Sequence, residues 1–138
     1  MKRKIEFASH PGNLSSVRSL VRQFAAEAQL SESEVELIVL GVDEACTNII
    51  RHTYARDVTR LIGLSCEQVA GGLRFRLRDY GGNGSSAEPG QWNGRPLESV
   101  QPGGLGLHLI NSAFDHVDYR QKRNGMEIVL TKKIKRQS

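Results

Sequence analysis

The chain has 138 residues, 38% hydrophobic and 25% charged, which predicts one packed domain over 1–138 rather than a disordered chain by default. No apolar run approaches the roughly 18 residues that cross a bilayer, and the basic start "MKRKIEFASHPGN" lacks the apolar stretch of a secretory signal; a cytoplasmic protein that does not engage a membrane is expected. The net charge of +4, from 19 basic and 15 acidic residues with only 6% aromatics, is too small an excess, too poorly interleaved with aromatic rings, to predict direct nucleic-acid binding.

In chain order, "KRKIEFAS" alternates as a first strand. "PGN" then breaks the chain, with Asn13 placed to cap a helix over about 14–29 whose apolar residues Leu14, Val17, Leu20, Val21, Phe24 and Ala28 follow helical spacing. Ser31 and Glu34 have the spacing of a capping box, with Ser33 the alternative cap, opening a second helix that runs to about Tyr54. "VTRLIGLSCEQV" and "LRFRLRD" are two strands joined by "AGG", the second placing Leu73, Phe75, Leu77 and Asp79 on one face and Arg74, Arg76 and Arg78 on the other. A stretch from Tyr80 to about Gly103, rich in Gly, Ser and Pro, has no periodicity; a loop this long in a small domain is commonly functional or disordered. "GLGLHLINSAF" reads as a short helix, and "HVDYRQKR", a turn at Asn124–Gly125 and "MEIVLTKKI" read as a closing hairpin. One wet and one covered sheet face predict a two-layer α/β sandwich with helices on a single side. Cys46 and Cys66 lie inside apolar segments outside any CxxC pair, which predicts two buried thiols rather than a zinc site.

On the long helix, Ile38, Val42, Ala45 and Ile49 share the core-facing stripe, while Gly41, Glu44, Asn48 and His52 share a second stripe about a quarter turn away, and Asp43 points elsewhere toward solvent. A carboxylate and an amide oxygen one turn apart suit Mg²⁺, a hard cation that wants oxygen ligands. The carboxylate alternatively serves as a base for a hydroxyl or water. Taken alone, the helix reads more simply as two polar residues on a solvated flank. Asp79 alternates onto the covered face, where a carboxylate must find a hydrogen bond, either from a ligand amino group or from a backbone N–H. "DYGGNG" at 79–84 permits a sharp turn, and "GGLGL" at 103–107 puts glycines at the mouth of a helix, whose free N–H groups suit phosphate.

In sequence, a helical E-x-x-x-N, a strand-terminal D-x-G, a long loop and a helix-opening G-x-G-L resemble the GHKL (histidine kinase-like) ATPase superfamily with its Bergerat fold. Within it, the chain resembles the small bacterial anti-sigma factors that are also serine kinases, the RsbW type; "NIIRHTY" and the closing "FDHVDYR" and "NGMEIVLTKKI" extend the likeness over nearly the whole chain. The resemblance implies a mixed, mainly antiparallel sheet covered on one face by helices. It makes Glu44 the general base and Asn48 the Mg²⁺ ligand. Asp79 would accept a hydrogen bond from the adenine amino group of ATP, and Gly81 would line the base and ribose end. Gly104, Leu105 and Gly106 would hold the phosphates by backbone amides, and 82–103 would be the ATP lid. The implied substrate is a STAS-type anti-sigma antagonist, with a sigma factor as a further partner and a homodimer as the assembly. Two positions depart from the family pattern, Asn83 where a second glycine is usual and Met126 where a threonine is usual; both belong to the base end. A binding regulator gated by nucleotide, without phosphoryl transfer, is the alternative within the fold. A basic α/β module without nucleotide is a third reading, and it requires a protein partner for Asp79.

Overall fold

The computed structural model describes residues 1–81, 91–92, 95–96 and 105–134. Strand β1 (Lys2–Ala8) leads through a 3₁₀ turn (Pro11–Asn13) into helix α1 (Leu14–Ala26). Helix α2 (Glu32–Asn48) continues as a π-helical turn (Ile49–Thr53), and strands β2 (Leu61–Val69) and β3 (Gly72–Asp79) follow. A two-residue ribbon, β4 (Gln91–Trp92) and β5 (Arg95–Pro96), precedes helix α3 (Leu105–Ala113) and the strands β6 (His116–Lys122) and β7 (Gly125–Lys133). The main sheet has the order β1-β2-β3-β7-β6. All four of its pairings are antiparallel, so the mixed component implied by the resemblance is not found among the described strands. The β2–β3 and β6–β7 hairpins fix two of these directions, and β7 returns beside β3 the opposite way.

Alternation places the core. Leu64 opposite Leu77, Cys66 opposite Phe75, and Phe75 opposite Leu130 all turn toward the helices and are buried. Phe75 is the meeting point of the two layers: its ring packs edge-on against Phe24 of α1 at 6.1 Å and against Phe114, just after α3, at 5.9 Å. Edge-to-face pairs of this kind contribute about 1 kcal/mol each beyond the apolar area they bury. On the opposite face, Arg74 and Arg76 meet Glu67, and Arg76 also meets Glu127, all at 3.4 Å. Long, half-exposed pairs like these contribute little to stability; they keep the uncovered face wet.

Helix α2 starts where expected. Ser31 Oγ accepts from the Glu34 N–H at 3.1 Å, and the Glu34 carboxylate accepts from the Ser31 N–H at 3.1 Å. In mid-helix, Gly41 lets α3 dock: a Cβ there would stand 2.8 Å from both Ala113 Cβ and the Phe114 ring, closer than side chains pack.

Several local expectations are corrected. Asn13 does not cap α1; its side chain donates to the Ala8 carbonyl, while His10 Nδ1 accepts from the Gly12 N–H and caps the 3₁₀ turn. Helix α1 stops at Ala26, and Gln29 takes a left-handed conformation at φ 61°. Strand β2 starts at Leu61, because Ala55 and Arg56 both have positive φ and Asp57 Oδ1 accepts from the Thr59 N–H, spending the preceding residues in a turn. In the closing hairpin the two loop residues are Arg123 and Asn124, with Gly125 already paired opposite Lys122.

Candidate functional site

The flank of α2 divides as its periodicity predicts. Ile38, Val42, Ala45 and Ile49 are buried in the core. One stripe over, Gly41 is buried, Glu44 half-buried and Asn48 only 7% exposed. Asp43 is not free in solvent: Arg18 of α1 donates to its carboxylate at 3.0 Å. Glu44 has no such tie among the described residues; on this helix it shares that with Glu32, which lies at the opposite end, away from Asn48. Asn48 Oδ1 is buried with no described hydrogen-bond partner. The backbone changes immediately afterwards: the Tyr54 N–H donates to the Ile49 carbonyl at 2.9 Å, the five-residue span of a π turn. Such turns are uncommon and recur at functional sites.

Asp79 ends β3 on the covered face, 1% exposed. Its two oxygens differ. Oδ1 accepts from the Gly81 N–H at 3.0 Å and from the Met126 N–H at 3.2 Å. Oδ2 is buried and finds no described partner. Burial pushes the carboxyl pKa up, opposed by the two backbone N–H groups and by the Arg78 and Arg60 guanidiniums. A buried acceptor left open is costly unless a ligand supplies the donor. The Met126 contact uses backbone, so the side chain that stands where the family has threonine does not affect it. Gly125, at φ 133°, brings that strand end close: a Cβ would run into the Asp79 carbonyl oxygen.

The turn after Asp79 lies against the end of α2. A Cβ on Gly81 would stand 2.5 Å from Thr53 Cγ2, in the π turn. The Tyr80 N–H donates to the Tyr54 hydroxyl at 2.7 Å, and Arg60 donates to the Tyr80 carbonyl at 2.8 Å. Asp79, Gly81 and the helix end carrying Asn48 are therefore assembled in one region. Leu105 and Gly106 are the first residues of α3, whose leading N–H groups have no partner within the helix. Gly104 lies outside the described residues, as do Asn83, Gly84 and the presumed lid 82–103 apart from the β4–β5 ribbon. His52 sits half-buried in the π turn.

No group of three or more His, Cys, Asp or Glu side chains is gathered among the described residues, which is unlike a Ca²⁺ or Zn²⁺ cage. One buried amide oxygen with a carboxylate one turn away fits Mg²⁺, which takes one or two protein ligands and completes its octahedron with water and phosphate. A cleft of about 1090 Å³ bounded by Met1, Glu27, Gln68, Gly71 and Ile134 lies at the other end of the sheet, by the β2–β3 turn, and contains none of these residues.

Sequence reasoning missed the Tyr54 hydroxyl and Arg60, which hold the Asp79 turn, and the Met126 N–H as a second donor to Asp79. Tyr54 had one signal, the run "NIIRHTY" in the resemblance. The other two depend on contacts that no spacing reveals.

The chain is similar to known proteins over most of its length. Residues 7–132 match the family described as the histidine kinase-like ATPase domain. Over 112 residues the chain is 32% identical to the serine-protein kinase RsbW of a Bacillus cereus strain, covering 75% of this chain and 67% of that protein. Over 109 residues it is 30% identical to the serine-protein kinase RsbW of Bacillus anthracis, with the same coverage of 75% and 67%. The solved structure of the RsbU and RsbW domains of Rv1364c from Mycobacterium tuberculosis superposes with a TM-score of 0.69, at 21% identity, over 100% of this chain. The chain spans about a third of that longer protein, 34%, and at this identity the likeness concerns the fold.

Proposed function

The chain belongs to the histidine kinase-like ATPase domain family, with relatives of the RsbW serine-protein kinase type, and from that premise we propose that it is an ATP-dependent serine protein kinase and anti-sigma regulatory factor. Its substrate is a STAS-type anti-sigma antagonist, its alternative partner a sigma factor, its assembly a homodimer and its place the cytoplasm. The observation that carries the nucleotide reading is Asp79 Oδ2, a buried acceptor with no described partner. The exocyclic amino group of adenine is the donor it lacks. Gly81 lines the base and ribose, and Gly104, Leu105 and Gly106 hold the phosphates at the mouth of α3. Asn48 is the ligand for Mg²⁺, which when bound neutralises charge on the transferring phosphoryl group. Glu44 takes the proton from the substrate serine hydroxyl, and the absence of any described ion pair leaves its carboxylate available for that role.

The test is phosphoryl transfer from labelled ATP to the STAS-type antagonist encoded in the same genome, with Mg²⁺, comparing the native chain with Glu44→Ala and Asn48→Ala. Transfer should fall by at least about a hundredfold in Glu44→Ala with ATP still bound. In Asn48→Ala, Mg²⁺-dependent nucleotide binding should be lost as well. ATP binding without any transfer by the native chain would leave a nucleotide-gated binding regulator instead.

A further inference from the structure

The phenol of Tyr54 occupies a position that the sheet itself leaves open. The β2–β3 ladder ends with Ile62 opposite Asp79, so the next position sets Leu61 against Tyr80. There the hydroxyl stands between the strands. It accepts from the Tyr80 N–H at 2.7 Å and donates to the Leu61 carbonyl at 2.5 Å. Arg60 completes the hold: its guanidinium donates to the Tyr80 carbonyl at 2.8 Å while lying 4.9 Å over the Tyr54 ring. Both backbone polar groups of Tyr80, one residue beyond Asp79, are thus fixed by the segment that follows α2. Tyr54 is itself 4% exposed, and its own N–H closes the π turn onto Ile49. One side chain joins the helix end that carries Glu44 and Asn48 to the turn that orients Asp79.

We infer that Tyr54 is a positioning residue for base selection: its hydroxyl, aided by Arg60, holds the Asp79–Gly81 turn so that Asp79 distinguishes a purine bearing an exocyclic amino group from one without it. The inference rests on the reading of Asp79 as the group that meets the base. The physical reason is orientation. Oδ1 is held by two N–H groups, one of them from Gly81 inside the same turn, so a turn released at Tyr80 lets the carboxylate rotate and Oδ2 lose its aim. A tyrosine that merely supported the fold would lower stability without changing selectivity.

The experiment measures the affinity of the full chain for ATP and for purine riboside triphosphate, which lacks the amino group, together with kcat, KM and Tm. Tyr54→Phe keeps the ring and removes both hydrogen bonds. It should weaken ATP binding about tenfold, the effect of losing roughly one buried hydrogen bond, and leave the analogue's affinity unchanged, so that the preference for ATP collapses. KM for ATP should rise while kcat at saturation changes less than about twofold, the split expected when binding rather than chemistry is affected. Arg60→Gln, which retains the phenol, should move selectivity the same way by a smaller factor, and it carries the test if Tyr54→Phe does not fold. Native ATP preference in both variants overturns the inference, whatever their Tm. Asp79→Asn is the control: if it loses the preference while Tyr54→Phe and Arg60→Gln keep it, the role of Tyr54 falls and that of Asp79 stands. If Asp79→Asn also keeps the preference, both fall.

Discussion

Two oxygens of one carboxylate, Asp79, meet different surroundings, and this makes the residue both the proposed recognition group and a burden on the fold. Burial raises its folded pKa above the ordinary value of 3.8. The folded state therefore holds the proton to higher pH than the unfolded chain. The stability this contributes is fully present below about 3.8 and is lost as pH rises through the raised folded value. Asp79→Asn removes the ionised form while keeping an oxygen to accept from Gly81 and Met126. In the absence of nucleotide the variant should melt a few degrees higher than the native chain at pH 7, and the difference should shrink as pH falls toward 4. Thermal melts across pH 4–8 read this directly. Added ATP should reverse the order, since only the native chain offers an acceptor at Oδ2. The same residue shows how far sequence reaches. Its burial follows from the alternation Leu73, Phe75, Leu77, Asp79; which oxygen remains open follows only from where Gly81 and Met126 bring their N–H groups.

Helix α2 shows the same division among elements. Its N-terminus was legible because a capping box is local: Ser31 and Glu34 need only each other. Ser31→Ala should cost about 1 kcal/mol of stability, read as a lower midpoint in denaturant with an unchanged slope, and leave kcat per folded molecule unaltered because the cap lies at the far end from Asn48. The other terminus was legible only as helical to about Tyr54; nothing in "IIRHT" announced a π turn. The first helix misled for a related reason. Asn13 is a good cap by type, yet its amide donates to Ala8 and His10 caps the turn before it, a competition between neighbouring side chains that composition does not rank. The strand that opens at Leu61 starts late because Ala55 and Arg56 turn left-handed after the π turn, a backbone preference that neither residue type advertises.

For the molecule as a whole, the uncovered sheet face and the closed core make opposite demands. The core encloses both thiols: burial pushes Cys66 up to about 12 and Cys46 higher still. In the folded protein at pH 8 neither should alkylate at more than about a hundredth of the rate of a free cysteine, and both should react fully in denaturant; mass spectrometry after a timed iodoacetamide pulse checks it. That burial was readable from the apolar runs around Cys46 and Cys66. So were the order of the helices and main-sheet strands, the face that β3 buries and the stripe that holds Glu44 beside Asn48, because periodicity and turn residues act over a few positions; the β4–β5 ribbon was not. Tertiary structure alone decided that every described pairing in the main sheet is antiparallel, that Met126 reaches Asp79 across 47 positions and that the Tyr54 hydroxyl meets Tyr80 across 26. Hydrogen bonds between groups so far apart in the chain depend on how packed layers come together, and no local pattern encodes which atoms will meet.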